Sequence, residues 1–371
     1  MVERLCSFSK AEGCEANVVT TSLYCGDDGT ELQAALRKRI DATVLPVRGP
    51  RFLKWSQGAQ PTIDEAVGRA DVVHLHTLWH PLNGIARKAC RRHGRKYVMM
   101  PHGMLDPYSL AQKRWRKQLY LAAVERRNLE GANRLVFTAQ QEEDAARRSL
   151  PWLAPSEIIP LAADDPPELS RQAAVATFAA RFPQIADRRC LIFLGRIDPK
   201  KGLERLLAAL PVVIEKHPNV LLVVAGDGEP SYFRHIRDRA HAAFLDAHVL
   251  FTGRIDGAGK WAALACAEIF VLPSRHENFA ISVAEAMHMA VPIVITNKVD
   301  SWPLVQQARA GVILDEAVVE ATLGQRLNAL LDAPDDARSM GRRGQDFARQ
   351  HLVWPRVASD MAAMYLRLLS E

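Results

Sequence analysis

The sequence predicts an α/β protein of two doubly wound, Rossmann-like domains, and three observations predict it. Short apolar runs alternate with longer helical stretches along most of the chain, the pattern of strands buried on both faces of a parallel sheet. At 371 residues the chain is long enough for two cores. The stretch 161–170, with Asp164-Asp165-Pro166-Pro167, reads as a linker between two such series. Domains are therefore expected at 1–160 and 161–353. The break at His351-Leu352-Val353-Trp354-Pro355 precedes a last helix within 354–371.

Taken in order, residues 1–11 read as a helix with Val2, Leu5 and Phe8 roughly on one face. Residues 16–21 read as a strand. An α/β nucleotide-handling domain ordinarily opens with a strand and a Gly-rich turn before its first helix. None is visible here, so this domain is expected to lack its first strand or to be built differently. Asp71-Val72-Val73-His74-Leu75-His76-Thr77-Leu78-Trp79-His80 is a strand running into a loop. His74 and His76 share a strand face, and His80 follows. The spacing resembles a zinc set, but no Cys or carboxylate completes one nearby, so no metal is expected.

Helix 81–93 and strand 96–100 continue the alternation. Pro101-His102-Gly103-Met104-Leu105-Asp106-Pro107 then lies at a strand's carboxyl end, where parallel sheets place ligands. A lone His is more often structural. Its place at a strand end before Gly and Pro favours His102 as a group presented to a ligand. The stretch 112–127 reads as one basic helix carrying Lys113, Arg114, Arg116 and Lys117, with Trp115, Leu119 and Ala122 on one side. Such a helix either rests on a membrane surface or packs on a sheet. Strand 134–138, helix 140–150 and the short run 157–159 close the first half.

Beyond the linker, 190–194, 220–225, 249–252, 269–272, 293–296 and 312–314 read as short buried strands. Gly195-Arg196-Ile197-Asp198-Pro199-Lys200-Lys201-Gly202 follows the first of them. Gly195 lets the loop turn, and Arg196 and Lys201 can reach an anion held over the next helix start. Gly226-Asp227-Gly228 closes the second strand and Gly253-Arg254 the third. A GxGxxG fingerprint and a Walker-type loop are absent, which argues against a dehydrogenase or a P-loop enzyme.

The stretch Pro273-Ser274-Arg275-His276-Glu277-Asn278-Phe279-Ala280-Ile281-Ser282-Val283-Ala284-Glu285-Ala286-Met287 carries the most chemistry. A strand ends in a polar loop, and a helix over about 280–289, apolar on nearly every side, should be buried. Glu285 in that helix needs a partner, because an unpaired buried charge is costly. Two carboxylates beside open helix-start amides suit a nucleotide-sugar. The plainer alternative is that Glu277 caps the helix and Glu285 pairs with a structural Arg.

Composition sets outer bounds. With 48% hydrophobic and 24% charged residues the chain is ordinary for a globular protein. No apolar run reaches bilayer length and the N-terminus lacks a signal-peptide profile, so the cytoplasm is the expected compartment. Six cysteines (Cys6, Cys14, Cys25, Cys90, Cys190, Cys266) without a CxxC pair read as reduced, small apolar fillers. The net charge of +6 is uneven: residues 1–160 carry 24 basic and 17 acidic residues, and 87–127 carry 12 and 2. That patch is a solvated face or a meeting surface for anionic lipid, nucleic acid or acidic glycan.

In Pro273-Ser274, Glu277, Asn278-Phe279 and Glu285-Ala286-Met287, with two Glu separated by seven residues, the chain resembles the retaining glycosyltransferases of family 4 (glycosyl transferases group 1). The family usually has Gly where Ala280 stands. The resemblance spans about residue 71 to the C-terminus and implies the GT-B fold, two Rossmann-like domains facing across a cleft. It also implies that the last helix, 354–371, crosses back to the acceptor-side domain 1–160, leaving 161–353 as donor domain. Arg196 and Lys201 would contact a donor diphosphate, with Gly228, Gly253 and Arg254 in base- and phosphate-side loops. The amides of Asn278, Phe279 and Ala280 would add to the anion site. Glu285 would accept ribose hydroxyls, Glu277 donor-sugar hydroxyls, and His102 would contact the sugar. The expected function is transfer of a sugar from a UDP- or GDP-sugar, without metal or other cofactor, to a glycan or lipid-linked glycan. Exopolysaccharide or lipopolysaccharide assembly at the inner membrane face suits the basic segment, and nucleic acid is not an expected partner. A GT-B epimerase or hydrolase, and a non-catalytic nucleotide-binding protein, are the alternatives.

Overall fold

The protein is described from a computed structural model covering residues 1–23, 29–47, 56, 58–168 and 170–371. The chain divides into two compact units, Met1–Pro160 with Trp354–Glu371, and Leu161–Val353.

In the first unit, β1 (Asn17–Thr21) pairs in parallel with β2 (Asp41–Leu45) as a sheet of two strands. β3 (Val72–His76), β4 (Lys96–Met100), β5 (Arg134–Phe137) and β6 (Ser156–Ile158) form a second parallel sheet in that order. Among the described residues the two sheets are not hydrogen-bonded to each other. Val98, Met99 and Met100 are wholly buried, which is why this strand reads as an unbroken apolar run. The helix Pro81–His93 shows how locally its bounds are set. Proline opens it, the His80 ring accepts the Leu82 N–H at 3.2 Å, and Gly94 ends it at φ 62°. The last helix, Trp354–Ser370, packs on the first, Val2–Ser9.

The basic segment departs from the single helix expected over 112–127. It is a relay: Pro107–Ala111, then Arg114–Tyr120, a π-helical turn Leu121–Glu125, and Arg126–Glu130. Lys113, at φ 52°, separates the first two. The π turn brings Glu125 inward, where Asn83 and Asn128 donate to it at 3.4 and 3.2 Å. Trp115 and Leu119, read as one side of that helix, are 63% and 65% exposed. Exposed to that degree, they are not the buried face of a helix laid on a sheet.

The second unit holds six parallel strands in the order β12-β11-β10-β7-β8-β9. These are β7 (Arg189–Leu194), β8 (Val220–Ala225), β9 (Val249–Gly253), β10 (Ala267–Leu272), β11 (Ile293–Thr296) and β12 (Gly311–Leu314). All six runs read as strands form strands. Chain order reverses between β7 and β10, because β7 leads outward to β8 and β9 while β10 leads to β11 and β12 on the other side. In an open parallel sheet that reversal leaves a crevice at the carboxyl ends of the two strands. The five described cysteines are free thiols, with Cys90 and Cys190 buried.

Candidate functional site

The loops after β7 and β10 meet at this reversal. Gly202, closing the first loop, lies so near the second that a Cβ there would collide with the Pro273 carbonyl oxygen. Arg205, in the first turn of the helix Leu203–Lys216, donates to the same carbonyl at 3.3 Å and is held by Glu316 at 2.6 and 2.8 Å. The Arg275 N–H donates to the Lys200 carbonyl at 2.7 Å, and the Glu277 N–H to the Lys298 carbonyl at 2.9 Å. Thr296 Oγ1 donates to the Ser274 carbonyl at 2.6 Å. The loop carrying Glu277 is thus fixed by backbone contacts on both sides.

Each of the two glutamates has a lysine. Glu277 forms an ion pair with Lys201, and Lys200 stands 3.9 Å away; the Glu277 and Lys201 side chains are only 12% and 10% exposed. Burial lowers the Lys201 pKa from the ordinary lysine value, and the Glu277 carboxylate opposes that shift. Glu285, on the helix Ile281–His288 between buried Val283, Ala284, Ala286 and Met287, accepts from Lys260 Nζ at 2.6 Å. The Lys260 ammonium also sits 4.7 Å from the Trp261 ring centroid. Neither glutamate caps that helix. No side chain does, so its first amides have no side-chain acceptor.

The other expected residues of this unit are arranged around the pairs. Ala280 stands at φ 54°, the left-handed region where Gly is at ease and Ala is strained. Phe279 is buried at 2% exposure and anchors the loop from below, while Asn278 is half-buried. Gly228 bridges to Ile197 so closely that a Cβ would strike the Ile197 carbonyl. The Gly253 carbonyl accepts the Gly226 N–H at 2.9 Å. Arg196 and Arg254 are not drawn in. Their side chains are largely exposed, 3.9 and 3.7 Å from Asp198 and Asp256.

His102 belongs to the first unit and has its own setting. It is held at φ 55°, and the next amide, Gly103 N–H, donates to the buried Glu142 at 2.6 Å. Glu142 also accepts from Thr138 N–H and Oγ1, both at 2.8 Å, yet burial leaves its pKa raised. His76 Nδ1 lies 3.1 Å from His102 Nε2. Burial brings the His102 pKa down to about 4. His80 caps the helix Pro81–His93, and among the described residues no group of three or more His, Cys, Asp or Glu side chains is placed to hold a metal ion.

Lys260 is the residue that reading the sequence overlooked. Its signal was present: a lone cation in the otherwise apolar helix Gly257–Cys266, answering a lone carboxylate in another apolar helix. Glu142 and Arg205 gave no comparable signal.

With this geometry in hand, comparison with known proteins is informative. Residues 177–347 match the family model described as glycosyl transferases group 1, and residues 1–162 that of a glycosyl transferase 4-like domain. A GDP-mannose-dependent alpha-(1-6)-phosphatidylinositol monomannoside mannosyltransferase of Mycobacterium tuberculosis is 25% identical over 314 residues, 81% of this chain and 79% of its own. Among solved structures, sucrose-phosphate synthase of Thermosynechococcus elongatus superposes with a TM-score of 0.74 at 20% identity, covering 100% of this chain and 92% of its own. Alr3699/HepE of Anabaena, in complex with UDP and glucose, gives 0.75 at 16% identity, covering 98% and 95%. Likeness at such identity establishes the fold, which is the GT-B fold expected from the sequence.

Proposed function

This chain belongs to the group 1 glycosyl transferases, and from that premise we propose that it moves a sugar from a UDP- or GDP-sugar to a lipid-linked or other anionic glycan, with retention at the anomeric carbon. That it is a glycosyltransferase using a nucleotide-sugar follows from the family. The observation that carries the finer reading is the pair of largely buried lysine–glutamate contacts, Lys201–Glu277 between the loops after β7 and β10 and Lys260–Glu285 between the helices that follow β9 and β10.

In the proposed reaction the bond from the sugar's C1 to the diphosphate oxygen breaks. The acceptor oxygen bonds to C1 on the same face, and its proton passes to the departing phosphate. Charge grows on that phosphate, so fixed cations and amides near it stabilise the transition state most. Lys201, with Arg196 swinging in from solvent and the open amides at Ala280 and beyond, supplies them. Glu285 accepts the ribose hydroxyls and Glu277 those of the sugar, each sharing its lysine with the ligand. His102 contacts the sugar. Metal is not required in this scheme, since cationic side chains take the role a divalent ion would have.

The acceptor is assigned to the first unit. Trp115, Leu119 and Tyr108 are exposed beside Lys113, Arg114, Arg116 and Lys117, a composition suited to an anionic bilayer surface. No helix among the described residues is long and apolar enough to cross a membrane. A relative that acts on a phosphatidylinositol mannoside supports a lipid-borne acceptor.

Calorimetric titration with UDP, GDP, ADP and their sugar conjugates tests the reading. Micromolar binding of one nucleotide is expected and names the base. A folded sample that binds none of them refutes the donor assignment.

A further inference from the structure

His102 is backed by a row of aromatic side chains that the transfer reaction, as proposed, does not use. The His76 ring lies parallel to it, centroids 5.4 Å apart and planes 21° apart, with Nδ1 of His76 3.1 Å from Nε2 of His102. His74 stacks on the far face of this row, 4.1 Å from His76 at 23°. The Tyr365 hydroxyl, from the last helix, shares a hydrogen bond of 2.7 Å with His74 Nδ1. Nε2 of His74 is buried and has no partner. Four side chains from one strand, a loop and the terminal helix therefore form one connected series.

We propose that His76 is a positioning residue that fixes the tautomer and ring orientation of His102, with His74 and Tyr365 holding His76 in place. The inference rests on the assignment of His102 to the donor sugar. A neutral imidazole carries one proton, on either nitrogen. Two neutral imidazoles joined N to N share one N–H: one ring donates, the other accepts. Because His102 Nε2 is committed to His76, Nδ1 is the ring nitrogen left to meet a sugar hydroxyl, and its character as donor or acceptor is the complement of what Nε2 does. Burial supports the neutral state, with the His74 pKa near 3 and that of His76 also well below the ordinary value. His102 is constrained at the backbone too, through its left-handed φ and the Gly103 amide on Glu142. A residue held at backbone and at one ring nitrogen presents the other nitrogen in a single direction, which is what a contact to one hydroxyl needs.

The test compares His76→Ala, His76→Asn and His102→Ala in the full chain. Asn is the conservative variant, because its amide group sits near where His76 carries Nδ1. Imidazole nitrogen resonances of labelled protein read the tautomer of His102 without any turnover. The expected result is one tautomer in the unaltered protein, mixed tautomers in His76→Ala and recovery in His76→Asn. In step with these, kcat for sugar transfer should fall about tenfold to a hundredfold in His76→Ala, with donor KM little changed, and partly recover in His76→Asn. If His76→Ala does not fold, His76→Asn against Tyr365→Phe gives the same spectroscopic comparison. An unchanged His102 tautomer across these variants overturns the positioning role. If instead the tautomer shifts as expected but His102→Ala turns over normally, the positioning stands and the sugar assignment of His102 falls.

Discussion

The two units solve one problem, keeping polar side chains functional in a largely buried setting, in opposite ways. The second unit keeps its groups charged and gives each carboxylate a lysine: Lys201 for Glu277 and Lys260 for Glu285. The first keeps its groups neutral, and the imidazoles of His74, His76 and His102 are discharged by burial and joined to one another. A paired charge can change partners when an anion or a hydroxyl arrives. A neutral ring cannot attract an anion but can discriminate among hydroxyls by direction.

Breaking a charge pair should be the most damaging change. Lys201→Met leaves the Glu277 carboxylate buried without its nearest cation, a loss of about 3–5 kcal/mol, toward the lower end because Lys200 remains 3.9 Å away. Urea unfolding measures it, and nucleotide affinity should vanish in the same variant. An unaffected midpoint would mean the pair contributes nothing to the loop.

Next in size is Glu285→Ala, which removes a charged acceptor from the proposed ribose site. Donor affinity should drop roughly ten- to a hundredfold, the range for hydrogen bonds to charged groups. Equal affinity in titration would take Glu285 out of that role.

The neutral row gives a pH signature. The folded-state pKa values of His74 and His102, about 3 and about 4, lie below the ordinary 6.5. Their contribution is complete above about pH 6.5 and is lost as pH falls toward 4, because the unfolded chain takes up protons that the folded chain refuses. The urea midpoint should decline across that window, and His74→Phe should flatten the decline. No slope between pH 7 and 4.5 would mean these rings titrate normally.

The smallest effect concerns Ala280. Replacing it with Gly relieves a left-handed φ and should raise stability by about 1 kcal/mol. If Ala280→Gly is neutral or destabilising by thermal melting, the backbone there is not strained.

Legibility in the sequence followed the range of the forces involved. The six strands of the second sheet could be read because each is a short apolar run, wholly buried in β8 and β11 and partly buried at the edges β9 and β12, a purely local signal. Glu285 stood out by a local signal too, as a lone charge in an apolar helix. Lys260 was readable by that argument and would have been found by asking which lone cation answers Glu285. The broken basic segment was not readable, since its π turn exists to bring Glu125 to Asn83, 42 positions away. The link from Tyr365 to His74 spans 291 positions, and no local pattern announces it. His102 was picked out by its place at a strand end, but its partners were invisible.

The lysine–glutamate pairs have a bearing on turnover. A recess that carries its own counter-ion is electrically balanced while vacant. On the proposed reading, in which Lys201 meets the donor diphosphate, an incoming diphosphate must win Lys201 away from Glu277, and a departing one leaves behind a competitor ready to reclaim it. This internal rival sets a ceiling on how tightly the spent nucleotide can be retained. On that reading the pair favours product escape, because Glu277 restores the Lys201 contact without waiting for ions from solution.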